Sequence, residues 1–435
     1  MIRVGRAGDN RVSTRLALAK LSICALVAAV LLCTHPATAM AESTAPKLSR
    51  TPFSSTVVRS QNECDAGTVQ LSPATPSALE LLQSAQAWTR STGVSIIVAV
   101  VDSGVDTKNP HLVDAVIGGT NLVNDGENAS GLTDIDGHGT AIAGQIAARQ
   151  ITGSGVIGLA NGAKILSVRV FRGTDDESVK AGFGPSVERL AQGIRYSTDH
   201  GATIINASLS DYADNAALRD AISYATARGS LVVASAGNRA TSADKTDGVR
   251  FPAGYPGVLS VTATTTGGSA TDDSIHGPHI GVAAPGSDIL TTATNAGDCL
   301  YASAAPSSSF ATGYASAAAA LVAAAHPSET PLEWIYRLEA TALRANPDVR
   351  DDLTGWGIVQ PYSAIVLTPS ASTRGPANPD RRNEQSVVAT KKVAVDAAHN
   401  VTTGGNIHSW LLGLAVISAT ILCGLSLIPR LRRRA

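Results

Sequence analysis

The sequence predicts an α/β fold in which a mainly parallel sheet is flanked by helices. Short apolar, often β-branched segments suit strands that are buried on both faces. They alternate with segments whose apolar residues recur at helical spacing, and this alternation predicts parallel strands joined by helices. With 435 residues and 44% hydrophobic residues, the chain has room for one large or two ordinary domains plus appendages.

The elements follow one another in a regular order. Predicted strands are Ser95–Val101, Ala163–Val170, Ala202–Ala207, Leu231–Ala236 and Gly281–Ala284, and predicted helices are Gly139–Arg149 and Ser186–Thr198. A further helix should start with Asp214 as its N-cap and run to Arg228, where Gly229 would end it. The formal net charge of −1 suggests neither nucleic-acid binding nor strong electrostatic steering.

Both ends of the chain carry membrane-directed signals. Residues 1–41 are predicted to be a signal peptide, because basic residues precede the apolar run Leu21–Cys33 and a small-residue motif, either Ala37-Thr38-Ala39 or Ala39-Met40-Ala41. Residues 409–429 are predicted to form a single transmembrane helix, since Trp410–Ile428 carries no charge. The basic tail 430–435 should stay in the cytoplasm, which places the rest of the mature chain outside the cell membrane.

Three regions are predicted between these ends. A polar N-terminal extension covers 42–77, a globular domain covers 78–367, and a linker rich in Pro, Ser and Asn covers 368–408. Cys64 and Cys299 are the cysteines outside the two apolar terminal segments. Two cysteines in an exported domain are most simply a disulfide, and two unpaired thiols are the alternative.

Three short motifs carry the chemistry. Asp102 ends an apolar run, His138 lies within Asp-Gly-His-Gly-Thr, and Ser309 begins a small-residue helix. The order Asp, His, Ser is that of subtilisin-type triads, in which the carboxylate orients the imidazole and the imidazole deprotonates the serine. Ser307 and Ser308 compete with Ser309 for the role of nucleophile.

Asn238 follows another apolar strand, within Ala-Ser-Ala-Gly-Asn. Its side-chain amide is predicted to donate a hydrogen bond to the oxyanion of an acyl-transfer intermediate. The competing interpretation is an asparagine that only forms a turn. No metal site and no cofactor are predicted.

From about Gln86 to Val366 the chain resembles the subtilases, and within them the mycosins, the membrane-anchored proteases of actinobacterial type VII secretion. The resemblance rests on the Asp102, His138, Asn238 and Ser309 motifs and on the two terminal segments. It implies a subtilisin-like fold and a secretion complex as partner. It also implies that one wall of the substrate cleft is formed by Ser208, Leu209 and Ser210, and the other by Ala236 and Gly237.

The chain departs from the family pattern at two places. The usual Gly-Thr-Ser is replaced by Ser307-Ser308-Ser309. Serine at position 307 adds a β-carbon, and strain is expected there if the backbone needs a φ angle that only glycine adopts easily. Ser210 also stands where subtilisins have glycine. Two hypotheses follow: an active membrane-anchored endopeptidase, or a weakly active structural subunit of a secretion complex.

Overall fold

A computed structural model describes residues 70–294 and 297–381. The strands are β1 Ile97–Asp102, β2 Val116–Asn121, β3 Lys164–Arg169, β4 Ile204–Ala207, β5 Leu231–Ser235, β6 Val258–Thr264, β7 Val282–Pro285, β8 Ile289–Thr292 and β9 Asp298–Tyr301. The first seven form one sheet in the order β2-β3-β1-β4-β5-β6-β7, with every neighbouring pair parallel. β8 and β9 form a separate antiparallel hairpin.

Helices connect and cover these strands. They are α1 Ala78–Leu81, α2 Ser84–Trp88, α3 His138–Ala147, α4 Asp176–Lys180, α5 Val187–Asp199, α6 Ala216–Ala227, α7 Ser308–Ala325, α8 Pro331–Ala340 and α9 Pro361–Val366, followed by a 3-10 turn at Pro379–Arg381. The predicted fold class, a mainly parallel sheet flanked by helices, is confirmed.

The sheet separates two apolar cores. Successive side chains of a strand point to opposite faces, so Val98 and Val100 of β1 enter one core while Ala99 and Val101 enter the other. The first core contains α3 and α7, and the second contains α5 and α6. Because α7 is rich in alanine, it lies close to the sheet and contacts β4 to β7.

One predicted helix start is wrong by a single residue. The N-cap of α6 is Asn215, whose side chain accepts a hydrogen bond from the Leu218 amide. Asp214 instead accepts a hydrogen bond from the Tyr255 hydroxyl at 2.7 Å and pairs with Arg219. The Asp214 carboxylate, which the sequence predicted to cap the helix, therefore makes a tertiary contact with Tyr255 instead.

The described part of the N-terminal extension lies on the domain. The Asp298 amide donates to the carbonyl of Gln70 at 2.7 Å, and the Asp298 carboxylate accepts from the Ser72 amide at 2.8 Å. The Gly155 amide also donates to the Ser72 carbonyl at 2.7 Å. These contacts hold residues 70–72 against the β8–β9 hairpin.

The first part of the predicted linker is also ordered on the domain. Arg374 forms an ion pair with Asp348, and Asn378 is buried. The 3-10 turn at Pro379–Arg381 lies against α8. The packed domain therefore extends past the predicted boundary at residue 367 to at least residue 381.

Several predictions fall on residues outside the described ranges. These are the signal peptide, the extension before Gln70 with Cys64, most of the linker, the transmembrane helix 409–429 and the basic tail. Within the described ranges, one helix is long and apolar enough to cross a membrane, namely α7, and it is almost entirely buried in the protein core. We therefore assign α7 to the core.

Candidate active site

Three elements bring the predicted catalytic side chains to one edge of the sheet. Asp102 is the last residue of β1, His138 is the first residue of α3, and Ser309 lies in the first turn of α7. Carboxyl ends of parallel strands meet at the same edge, where α/β proteins usually bind ligands. Residues that are 36 and 171 positions apart in sequence thus become neighbours.

The three side chains form a continuous chain of hydrogen bonds. His138 Nδ1 lies 2.8 Å from Asp102 Oδ1, and His138 Nε2 lies 2.8 Å from Ser309 Oγ. Asp102 is fully buried, whereas 22% of the His138 side chain is exposed. An imidazole between a buried carboxylate and a hydroxyl is arranged to accept the hydroxyl proton.

The glycines around His138 are required by close packing. Gly137 has φ +91°, which favours glycine. At Gly139 a Cβ would lie 2.1 Å from the Gly104 carbonyl oxygen and 3.1 Å from Asp102 Cβ. The absence of a side chain there lets the start of α3 approach the end of β1, which sets the distance between carboxylate and imidazole.

Asp134 organises the loop before α3. Its carboxylate accepts hydrogen bonds from the Gly137 amide at 2.9 Å, the Thr140 amide at 2.9 Å and the Thr140 hydroxyl at 2.6 Å. Burial raises the pKa of Asp134 to about 6, although these hydrogen bonds oppose the shift. Asp134 was not predicted as a site residue, and its place two residues before the Asp-Gly-His motif was the available signal.

The electrostatics of the site favour the imidazolium form of His138. Burial is the largest single influence and lowers the pKa of His138, but the charge and hydrogen bond of Asp102, together with the charges of Asp136 and Asp134, outweigh it. The pKa is raised from 6.5 to about 9. The neutral imidazole that can accept a proton therefore becomes the main form only in alkaline solution.

Asn238 lies just after β5 and contacts the residues that precede Ser309. Its Oδ1 accepts hydrogen bonds from the Ser308 amide at 2.7 Å and the Ser308 hydroxyl at 2.9 Å. Its Nδ2 points to Ser307 Oγ at 3.2 Å. The N–H groups of this side chain thus point towards the start of α7, the orientation that the predicted oxyanion donor requires.

The structure distinguishes the three consecutive serines. Ser309 Oγ contacts His138, whereas Ser308 is fully buried and its hydroxyl contacts Ser235 at 2.6 Å. The expected strain at Ser307 is absent, since its φ of −128° and ψ of 128° are ordinary extended values. The serine that replaces glycine is therefore accommodated without a glycine-only backbone angle.

The residues predicted to form the first cleft wall differ in what they face. Ser208 is buried, and its hydroxyl donates to the Ser309 carbonyl at 3.3 Å, so it supports the start of α7. Leu209 and Ser210 line a cavity of about 70 Å³ with Phe251 and Leu190. Ser208 therefore supports the wall from inside the protein, whereas Leu209 and Ser210 face the cavity.

The residues of the second predicted wall lie directly after β5. Ala236 is fully buried, and its carbonyl accepts a hydrogen bond from His279 at 3.1 Å. Gly237 has φ +103°, and a Cβ there would lie 3.2 Å from both Ser210 Oγ and Arg250 Cγ. The two predicted walls thus approach each other at Gly237 and Ser210.

Two neighbours of the site were not found by sequence reasoning. The Phe310 ring packs beside His138 with ring centroids 5.2 Å apart, and Tyr301 packs on Phe310 at 5.6 Å. Across residues 70–294 and 297–381, no group of three or more His, Cys, Asp or Glu side chains is arranged to hold a metal ion.

Comparison with known proteins adds an independent line of evidence. Residues 93–357 match the model of the subtilase family, peptidase family S8. Mycosin-3 of Mycobacterium tuberculosis is 31% identical over 354 residues, covering 70% of this chain and 74% of its own length. Fervidolysin of Fervidobacterium pennivorans is 33% identical over 303 residues, covering 64% of this chain but 42% of its own length.

A solved structure of the MycP3 protease from the type VII (ESX-3) secretion system superimposes with a TM-score of 0.60. It is 29% identical and covers 69% of this chain and 92% of its own. The order of the motifs, the parallel sheet and the matched region agree with one another. The chain therefore belongs to the subtilase family of serine proteases and is similar to the mycosins within it.

Proposed function

We propose that this protein is a membrane-anchored, extracytoplasmic serine endopeptidase that hydrolyses peptide bonds through Asp102, His138 and Ser309. The observation that carries the proposal is the chain of two 2.8 Å contacts from carboxylate to imidazole to hydroxyl. A serine that merely caps a helix has no need of an imidazole held by a buried carboxylate.

The proposed reaction proceeds through an acyl-enzyme. Ser309 Oγ attacks the peptide carbonyl carbon while its proton passes to His138 Nε2. His138 then protonates the leaving amine as the C–N bond breaks, and Asp102 stabilises the imidazolium between these steps. Water repeats the sequence on the ester, which releases the acid product and restores the Ser309 hydroxyl.

Asn238 is proposed to stabilise the oxyanion of the tetrahedral intermediates. The two contacts of its Oδ1 with Ser308 fix the amide plane, so Nδ2 needs no reorganisation when charge develops. The first turn of α7 contributes backbone N–H groups and the positive end of the helix dipole. Together these groups favour negative charge next to Ser309.

The substrates are proposed to be proteins outside the membrane, bound as extended peptides. Ser208, Leu209 and Ser210 would form one wall of the cleft, and Ala236 and Gly237 the other. The apolar space beside Leu209 favours an apolar substrate side chain at that position. Backbone pairing with the wall would supply affinity that depends little on sequence.

Export and anchoring are proposed from the signal peptide and from the apolar segment 409–429 with its basic tail. The resemblance to the mycosins supports a type VII secretion complex as partner. We also propose the Cys64–Cys299 disulfide, because residues 70–72 run beside Asp298 and bring the extension close to Cys299. Mass spectrometry of peptides from the unreduced full chain would detect this link, and a free Cys64 thiol would contradict it.

A fluorophosphonate probe tests the catalytic proposal directly. The full chain should be labelled at a single site that maps to Ser309, and Ser309→Ala should abolish labelling. Ser303→Ala is the matched control, because Ser303 is exposed in the loop before α7. Failure of the folded parent to react, or labelling that persists in Ser309→Ala, would contradict the proposal.

A structural subunit of a secretion complex is the second candidate. It is favoured by the contact of the Ser307 hydroxyl with both Ser309 and Asn238, which leaves the resting site partly occupied. Under this proposal, Ser309→Ala would still co-purify with its membrane partners and would support secretion. Secretion lost with Ser309→Ala, despite intact co-purification, would favour the peptidase.

A further inference from the structure

The Ser307 hydroxyl lies between the two groups that would act on a substrate carbonyl. Ser307 Oγ is 2.8 Å from Ser309 Oγ and 3.2 Å from Asn238 Nδ2. The side chain is neither fully exposed nor buried. A polar atom of this chain therefore already occupies the space between nucleophile and amide donor.

This location matches the requirements of an oxyanion position. The oxyanion of a tetrahedral intermediate shares one carbon with the nucleophile oxygen, so it must lie next to Ser309 Oγ. It must also lie roughly 2.7–3.1 Å from its hydrogen-bond donors. Ser307 Oγ meets the first condition at 2.8 Å from Ser309 Oγ, and at 3.2 Å from Asn238 Nδ2 it lies just beyond the donor range. A substrate carbonyl oxygen that approaches the amide would therefore overlap Ser307 Oγ.

The directions of the hydrogen bonds strengthen this conclusion. When His138 is neutral and ready to accept a proton at Nε2, the Ser309 hydroxyl donates to it. The Ser307 hydroxyl then donates to Ser309 Oγ, and Ser307 Oγ accepts from Asn238 Nδ2. The Ser307 hydroxyl thus accepts the hydrogen bond that Asn238 Nδ2 would offer to a substrate, and it donates to a lone pair of Ser309 Oγ.

We propose that Ser307 is a self-occluding residue, whose hydroxyl holds the oxyanion position in the resting site and must rotate away before a substrate carbonyl can enter. This inference rests on the proposed peptidase function. The Ser307 backbone is held on both sides, because its amide donates to the Gly286 carbonyl at 2.9 Å and its carbonyl accepts from the Ala311 amide at 3.2 Å. Rotation of the side chain about Cα–Cβ therefore opens the site.

Removal of the hydroxyl should accelerate acylation. The backbone at Ser307 is extended, so Ser307→Ala introduces no strain and keeps the Cβ. Since one neutral hydrogen bond contributes little net free energy, Ser307→Ala should react with a fluorophosphonate roughly two- to tenfold faster than the parent. Ser307→Gly should be similarly fast, whereas Ser307→Thr keeps the hydroxyl and should be no faster than the parent.

A double-mutant cycle separates occlusion from a general loosening of the loop. In the Asn238→Ala background the Ser307 hydroxyl has lost its hydrogen bond with Asn238 Nδ2. Adding Ser307→Ala should therefore accelerate labelling less than it does in the parent. All rates are measured on the full chain, with unfolding temperatures checked for each variant. Ser303→Ala serves as the control and should react at the parental rate.

The outcomes distinguish this inference from the proposed function. If the parent is labelled at Ser309 and Ser307→Ala is slower or unchanged, self-occlusion is wrong and the peptidase proposal stands. If Ser307→Ala accelerates labelling by the same factor in the parent and in Asn238→Ala, the proposal that Ser307 occludes the amide donor is wrong. If neither the folded parent nor Ser307→Ala reacts, both proposals fail.

Discussion

Replacement of Asp102 by asparagine tests the electrostatic account of the site. Asp102 Oδ1 lies 2.8 Å from His138 Nδ1, and the pKa of His138 is raised from 6.5 to about 9 mainly by this carboxylate working against burial. A pKa shift of that size corresponds to a free-energy preference of about 3 kcal/mol for the imidazolium over the neutral imidazole. Because acylation needs the neutral imidazole, the parent should gain activity as the pH rises through the His138 pKa.

Asp102→Asn should change the pH profile in two ways. Without the carboxylate, burial should bring the pKa of His138 to its ordinary value or below, so the rise in rate moves to lower pH. The asparagine amide also favours the wrong imidazole tautomer, so the plateau rate should fall by about 10⁴. The assay is the rate of fluorophosphonate labelling of Ser309 between about pH 5 and 10, a range that includes both the ordinary and the raised pKa of His138.

Asp136→Asn is the matched control for this experiment. Asp136 raises the pKa of His138 through its charge but forms no hydrogen bond with the ring. Its replacement should move the profile slightly to lower pH and leave the plateau close to that of the parent. A profile that stays in place in Asp102→Asn would refute the assignment of the raised pKa to Asp102.

Three further changes test the site and its support. Asn238→Ala should lower the labelling rate by about 10²–10³, and a rate within a factor of two of the parent would rule out an oxyanion role. Gly139→Ala would place a Cβ 2.1 Å from a backbone carbonyl oxygen, so the unfolding temperature and labelling should both fall; Gly267→Ala, where the nearest atom is 3.7 Å away, should leave both unchanged. Arg169→Ala would leave the buried Asp125 carboxylate without its ion-pair partner. The free energy of unfolding, measured with denaturant, should therefore fall by about 3–5 kcal/mol. Burial raises the pKa of Asp125, but Arg169 and the hydrogen bonds from Asn121 and the Glu127 amide lower it to about 2, so the stability these contacts provide should be present above about pH 4 and lost as the pH falls towards 2.

Local sequence predicted the elements whose physical signal is strong. The run Ser95–Val101 predicted β1 because a strand buried on both faces must be apolar at every position, and β1 is Ile97–Asp102. The edge strand β2 was missed, since its Val-Ile-Gly-Gly-Thr-Asn sequence lacks that pattern. Gly119 in β2 is required by packing, because a Cβ there would lie 2.3 Å from the Ser167 carbonyl oxygen.

The helix start at α6 shows how tertiary contacts override local rules. Asp214 and Asn215 are both good N-cap residues, so sequence alone could not rank them. The Tyr255 hydroxyl comes from a segment about forty residues away and binds Asp214, which leaves Asn215 to cap the helix. Such a contact depends on the path of the chain between the two segments.

The sequence by itself predicted the fold class, the family and Asp102, His138 and Asn238 as candidate site residues, because each of the three lies in a motif whose neighbours are constrained by close packing. The tertiary structure alone distinguished Ser309 from Ser307 and Ser308, since three adjacent hydroxyls differ only in what they face across space. It also revealed the Ser307 hydroxyl between Ser309 Oγ and Asn238 Nδ2. The physical reason is that hydrogen bonds act over about 3 Å, and only the folded chain brings β1, α3, α7 and the end of β5 within that distance of one another.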